Sequence, residues 1–229
     1  MVLTVHHLQV SQSERIIWLC EELGLQYDLK LYQRAPLLSP PQYLALHPLG
    51  AAPVIQDTGN VTLAESAACA DYIIHIHGGG RLVIPPRDPC YVNYIYWFHF
   101  ANGTLQPALG RLMALRAAGV GEDDNIRYRV TNKLKQYLEF LDRRLGETGA
   151  WLAGQEFTAA DVMLVFSLTT MRMFCPLDLG AYGNVLAYLW RVAAREGYRR
   201  AMGKGDPELK VEELISAQGP AMFPALPKK

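Results

Sequence analysis

Hydrophobic and polar residues alternate over Leu3–Leu8, a period of two that predicts a strand. From Ser13 to Gly24 the period changes. Ile16, Leu19, Cys20 and Leu23 fall on one face at helical spacing, and Gly24 supplies a C-terminal stop. Tyr27–Tyr32 reads as a second strand. Pro40, Pro41 and Pro48 then allow only short helical pieces. Residues 54–56 and 61–63 form a hairpin about the turn Asp57-Thr58-Gly59-Asn60. A helix follows from Ser66 to about His77, where Gly78-Gly79-Gly80 ends it. The order is strand, helix, strand, irregular segment, hairpin, helix. A helix joins the first two strands, so they pair in parallel through a right-handed crossover, and the last two are antiparallel. The product is a small mixed sheet with helices packed on it.

After a linker at residues 81–89, which holds Pro85, Pro86 and Pro89, the periodicity is helical throughout. Tyr91–Gly103 is aromatic and amphipathic, and Leu105–Ala118 continues after a break at Pro107. Asn125–Leu145 carries apolar positions at 130, 134, 137, 138, 141 and 145. Phe157 to about Phe174 is apolar on most sides, hence buried, and Val185–Gly197 is a further helix. Gly219–Lys229 is expected to wrap the surface or fray. The expected division is residues 1–80, an α+β domain; 81–89, a linker; and 90–229, an all-α domain.

Composition narrows the function classes. Of 229 residues 50% are hydrophobic and 19% charged, enough for a sizeable core. Lys+Arg 22 balances Asp+Glu 22, so no field favours nucleic acid or an anionic membrane. No apolar run reaches the length of a membrane span, and the N-terminus lacks the basic and apolar regions of a signal peptide. Cys20, Cys69, Cys90 and Cys175 form no CxxC pair, which fits reduced thiols and a cytoplasmic setting. Cys20 lies on the apolar face of its helix, in a packing position. His6, His7, His75 and His77 have no partners at metal spacing, so no metal is expected.

Two local motifs are ambiguous by themselves. Ser11-Gln12-Ser13-Glu14 reads as a capping box, in which the Ser11 hydroxyl satisfies a backbone N–H. Glu65-Ser66 reads as a plain helix start beside an exposed acid.

Four segments together change this reading: Ser11-Gln12-Ser13-Glu14-Arg15, His47-Pro48-Leu49-Gly50-Ala51-Ala52-Pro53-Val54, Leu63-Ala64-Glu65-Ser66 and Phe157-Thr158-Ala159-Ala160-Asp161. In this order and spacing the chain resembles the glutathione transferase superfamily over about residues 3–205. Its style is similar to serine-type, theta-like bacterial and fungal transferases. The resemblance implies a thioredoxin-like domain followed by an all-α domain, glutathione as cosubstrate, a small-molecule electrophile and a homodimer. A hydroxyl donating to the glutathione sulfur beside a helix start favours the thiolate. A shift of about two pKa units is worth roughly 2.7 kcal/mol. The resemblance gives that hydroxyl to Ser11, with Ser13 as the competing donor. It makes Pro53 cis, with the Ala52 backbone facing the cysteinyl part of glutathione. It gives the γ-glutamyl end to Glu65 and Ser66. Only small residues stand near Gly50, where relatives carry a base for the glycyl carboxylate, so Arg34 or His47 is the substitute. Tyr94, Trp97 and Phe98 are expected to line the electrophile pocket. Thr158 and Asp161 form a structural cap with no catalytic part. An isomerase or peroxidase using glutathione, and a binding module without turnover, remain as alternatives on the same scaffold.

Overall fold

The computed structural model describes residues 3–34 and 38–224. The chain folds as an N-terminal thioredoxin-like α+β segment followed by helices, and it divides into two compact units. The first comprises Met1–Val83, Val192–Glu213 and Phe223–Lys229; the second comprises Ile84–Arg191 and Leu214–Met222.

In the first unit, β1 (Thr4–Leu8), β2 (Asp28–Tyr32), β3 (Val54–Asp57) and β4 (Val61–Ala64) form one sheet in the order β2-β1-β3-β4. β1 pairs β2 in parallel, and β3 pairs both β1 and β4 antiparallel. The first crossover is α1 (Glu14–Leu23), which ends at Gly24 in the left-handed conformation, φ +63°. Glycine adopts that angle without the Cβ clash that other residues meet. A short α2 (Pro41–Leu44) follows. After the hairpin come α3 (Ser66–Tyr72) and a π-helical turn over Ile73–His77. Val5, Ile16, Ile17, Leu19, Ile55 and Ile73 are fully buried and form the floor of this unit.

The expected all-α domain from residue 90 to 229 does not stay together by contacts. Val192–Glu213 packs with the first unit. Within it, α9 (Glu196–Gly205) lies on α1. The rings of Trp18 and Tyr198 meet edge to face at 4.9 Å. Arg195 donates to both oxygens of Glu22 at 2.8 and 2.6 Å. Burial would raise the Glu21 carboxyl, but hydrogen bonds from Lys204, Tyr27 and Arg200 outweigh it and hold the group below its ordinary value.

The second unit contains α4 (Tyr91–Phe100), α5 (Gln106–Ala117), α6 (Asn125–Thr148) and α7 (Ala159–Leu168), with α8 (Gly183–Ala193) running to its edge. Pro107 makes no break. It sits in the first turn of α5, directly after a helical turn with i−5 hydrogen bonding, and proline's fixed φ fits the helix there. A π-helical turn over Ala101–Leu105 joins α4 to α5. α6 buries Leu134, Leu138, Leu141 and Leu145, and every residue of α7 is buried. The short α10 (Val211–Leu214) precedes a segment held by Arg172, which donates to the carbonyls of Leu177, Ser216 and Ala217. In the final stretch Phe223 is buried, and residues 225–229 lie outside the described residues.

Asp161 ties the start of α7. Its carboxylate accepts from the Thr158 N–H at 2.9 Å, the Leu152 N–H at 3.1 Å and the Tyr188 hydroxyl at 3.2 Å. Burial pushes this carboxyl up to about 6, against the pull of those donors. Its folded value therefore exceeds the ordinary 3.8. The proton it holds stabilises the fold fully below the unfolded value, and that contribution is lost as pH rises through about 6. Urea unfolding of wild type and Asp161→Asn is expected to show wild type losing about 3 kcal/mol relative to the variant between about pH 4 and about pH 7. Parallel pH curves would contradict it.

Candidate functional site

β1 presents successive side chains to opposite faces of the sheet. His6 points to one face and meets Tyr32 Oη at 2.9 Å and Gln56 Oε1 at 3.0 Å. His7 points to the other, where Nε2 lies 3.0 Å from Asp206 Oδ2 and Nδ1 lies 2.8 Å from Ser13 Oγ. The chain then turns sharply into α1. Val10 takes φ +50°, a value at which a β-branched residue is strained. Its N–H donates to Asp206 Oδ1 at 2.9 Å. From the other side Arg34 donates through Nε to the Gln9 carbonyl at 2.8 Å and through Nη2 to the Val10 carbonyl at 3.0 Å.

That turn delivers Ser11, which is buried, as is Ser13. Ser11 Oγ accepts from the Ser13 N–H at 3.2 Å and lies 2.7 Å from Ser13 Oγ. The capping-box geometry does not form. Ser13 occupies the N-cap with helical angles and makes no side-chain capping bond, and the Glu14 N–H donates to the Ser11 carbonyl at 3.1 Å.

Arg15, fully buried, links this turn to the start of α3. Nη1 donates to Gln12 Oε1 at 2.8 Å and to Ser66 Oγ at 3.1 Å. Burial brings its pKa down to about 9 while Glu14 pulls it upward, so it stays charged at neutral pH. Glu65 immediately before α3 is exposed and holds φ +72°, ψ +116°, outside the regions favoured by side-chain-bearing residues. The Ala52–Pro53 bond at the entry to β3 is cis. Ser66, Arg15 and Gln12 are thus one hydrogen-bonded group, and Ser11, next to Gln12 in sequence, bonds instead to Ser13. His47, half-buried, accepts from the Leu49 N–H at 3.3 Å. Cys20 is enclosed, and burial pushes its thiol up.

In the helical unit, Trp97 stacks on Phe140 at 5.3 Å and is 1% exposed, so it is core. Tyr94 and Phe98 lie 5.9 Å apart, each with a sliver of surface. Val92, Asn93, Tyr96 and Phe140, with the edge of Trp97 and the charged Arg143, Arg144 and Glu147, line a shallow groove of about 330 Å³ on the same unit. Among the described residues no three His, Cys, Asp or Glu side chains gather as metal ligands would. No helix among them is long and apolar enough to cross a membrane.

The model of the glutathione S-transferase N-terminal domain matches residues 11–76, and that of the C-terminal domain matches residues 114–196. Glutathione S-transferase 4 of Zea mays is 31% identical over 213 residues, covering 85% of this chain and 91% of the relative. The chain belongs to the glutathione S-transferase superfamily. Glutathione S-transferase 3 of Schizosaccharomyces pombe is 29% identical over 215 residues, 89% of this chain and 88% of its own length. A crystal structure of a glutathione S-transferase from Actinobacillus pleuropneumoniae superposes with a TM-score of 0.79 at 29% identity, covering 89% of this chain and 93% of the other.

Three residues of this superfamily member's site escape a reading of the sequence alone. Asp206 stands by itself after a glycine, with no motif to mark it. His7 reads as an ordinary strand residue. Val10 gives no sign of its backbone angle. The Glu65 angle carries a cost of about 1–3 kcal/mol. Glu65→Gly is expected to unfold in urea with a stability about 1–2 kcal/mol above that of Glu65→Ala. Equal stabilities would mean that the backbone is unstrained there.

Proposed function

We propose that the protein is a glutathione transferase of the serine type, theta-like in style, which ionises glutathione at Ser11 and delivers the thiolate to an apolar electrophile. The observation that carries this reading is the hydrogen-bonded group at the head of α1, in which Arg15 links Gln12, the residue after Ser11, to Ser66 at the start of α3. In this assignment the tripeptide pairs with the Ala52 backbone ahead of Pro53 like a short added strand. Ser66, beside the charged Arg15, takes the γ-glutamyl carboxylate, and exposed Glu65 takes the α-ammonium. Ser11 donates to the sulfur. A preorganised donor that strengthens as charge develops on the sulfur lowers the cost of ionisation. The electrophile is assigned to the aromatic surface of α4 at Tyr94 and Phe98, with Trp97 as packing. The groove about Tyr96 and Phe140 is the candidate contact of a homodimer, its aromatic floor flanked by Arg143, Arg144 and Glu147. The superfamily role is detoxification or secondary metabolism, in the cytoplasm.

Arg34 spends its Nε and Nη2 on the Gln9 and Val10 carbonyls. The glycyl carboxylate is then left to His47 or to backbone groups, which favours weak glutathione binding. This is the one observation that supports a second reading, a glutathione-binding module without turnover. An isomerase or peroxidase would use the same thiolate.

Conjugation of a chlorinated nitrobenzene and retention on immobilised glutathione separate these. Ser11→Ala is expected to lower kcat by about 10²-fold or more, the usual effect of losing one such donor, with retention nearly unchanged. Retention without turnover in wild type would select the module. Turnover indifferent to Ser11→Ala would transfer the role to Ser13.

A further inference from the structure

Four buried side chains form an unbroken line that ends at Ser11. Asp206 Oδ2 lies 3.0 Å from His7 Nε2, His7 Nδ1 lies 2.8 Å from Ser13 Oγ, and Ser13 Oγ lies 2.7 Å from Ser11 Oγ. Their exposures are 5%, 1%, 0% and 5% in that order. A serine that merely donates to a sulfur needs none of the other three.

The hydrogens follow from counting. A carboxylate only accepts, so His7 Nε2 carries its hydrogen toward Asp206, and a neutral imidazole then accepts at Nδ1. The Ser13 hydroxyl donates to Nδ1. Its oxygen accepts from the Leu8 N–H at 3.2 Å and from the Ser11 hydroxyl. Ser11 Oγ accepts from the Ser13 N–H, which leaves one acceptor site open. In this arrangement Ser11 can receive a thiol hydrogen but cannot donate to a thiolate. With His7 protonated the line reverses. Nδ1–H donates to Ser13, Ser13 donates to Ser11, and the Ser11 hydrogen turns outward. Both arrangements satisfy every group without moving a heavy atom. The Leu8 carbonyl, 3.4 Å from Ser13 Oγ, is the weaker acceptor in either.

We propose that this line is a proton relay in which His7, held by Asp206, stores the proton that glutathione loses when its thiol ionises. The proposal rests on the assignment of Ser11 to the glutathione sulfur. The S–H hydrogen passes to Ser11 Oγ, Ser11 passes its own to Ser13, and Ser13 passes its own to His7 Nδ1. One S–H bond breaks and one N–H bond forms, while each hydroxyl exchanges one hydrogen for another. The sulfur becomes a thiolate facing the Ser11 hydroxyl, and the imidazole becomes an imidazolium paired with Asp206. After the sulfur is alkylated the proton leaves by the same line, to water with the leaving group or to the carbanion of an addition product. Asp206 is the charged residue that meets the imidazole, from the end of α9, and Arg34, beyond the Val10 carbonyl, lies behind it and acts on Asp206 electrostatically. Gly205 lets that end of α9 approach, since a Cβ there would stand 3.1 Å from His7 Nε2. His7, Ser13 and Asp206 are positioning residues in this scheme, acting on sulfur through Ser11.

Proton counting tests it in the intact wild-type protein. Glutathione is added at about pH 7.5 in weak buffer with a pH indicator, and the thiolate is followed by its ultraviolet absorbance. The relay predicts thiolate with almost no proton in the solvent, whereas release to water gives about one proton per thiolate. Nitrogen NMR of the six histidines is expected to show one imidazole becoming doubly protonated on glutathione addition, a signal missing in His7→Gln. Asp206→Asn is expected to lower the thiolate fraction about tenfold and to send its proton to solvent, while glutathione retention persists. One proton released per thiolate in wild type, or six unchanged imidazoles, overturns the relay. If Ser11→Ala still loses the thiolate in that case, the Ser11 assignment survives. If Ser11→Ala keeps it, both fall. The wild-type measurements decide even where a variant does not fold.

Discussion

Asp206 accepts two hydrogen bonds from residues 199 and 196 positions earlier, and the geometry of the whole site depends on them. One oxygen orients His7. The other holds Val10 at an angle that a β-branched residue keeps only under constraint. Arg34 grips the carbonyl side of the same turn. The turn is therefore tied through its N–H and its C=O groups at once, and Ser11 follows directly from it. A loop free to relax at Val10 would not hold a hydroxyl within 2.7 Å of Ser13.

The carboxylate arrives there because α9 is fixed along α1. An edge-to-face aromatic pair supplies the apolar contact, and the two consecutive acids Glu21 and Glu22 supply the register. Charged pairs that are partly buried add modest net stability, but they discriminate strongly between alignments, because a shifted helix leaves buried charge unpaired. A one-turn slip of α9 would move Asp206 by about 5 Å and empty the hydrogen bonds at His7 and Val10.

The α+β half was legible because its signals are local. Alternation in Leu3–Leu8, the one-sided helix ending at Gly24 and the hairpin about Gly59 each rest on a few adjacent residues. Pairing then followed from connection lengths. α9 was not legible. Tyr198, Ala201 and Met202 fall at helical spacing, but the stripe is one turn long and Gly197, Gly203 and Gly205 interrupt it with residues that punctuate helices. Its burial is decided by what it lies on. The same limit governs the site. Ser11 and Ser13 looked like rivals for one role, because sequence spacing cannot show that two hydroxyls are successive links of one chain of hydrogen bonds. Arg34 looked available for a ligand carboxylate, because no local pattern shows that its guanidinium is spent on two carbonyls. Thr158 and Asp161 were readable as a cap, since a cap is itself a three-residue relation. The further grip of Asp161 on Leu152 and Tyr188 was not.

Placing Asp206 so late in the chain has a consequence for biosynthesis. A ribosome delivers the sheet and α1 long before it delivers the residue that locks them, so the nascent N-terminal half waits with Glu21, Glu22 and Trp18 uncovered. Translation order thus delays completion of the turn before α1 until the helical half has been synthesised. Until then the backbone at Val10 lacks the carboxylate that holds its N–H.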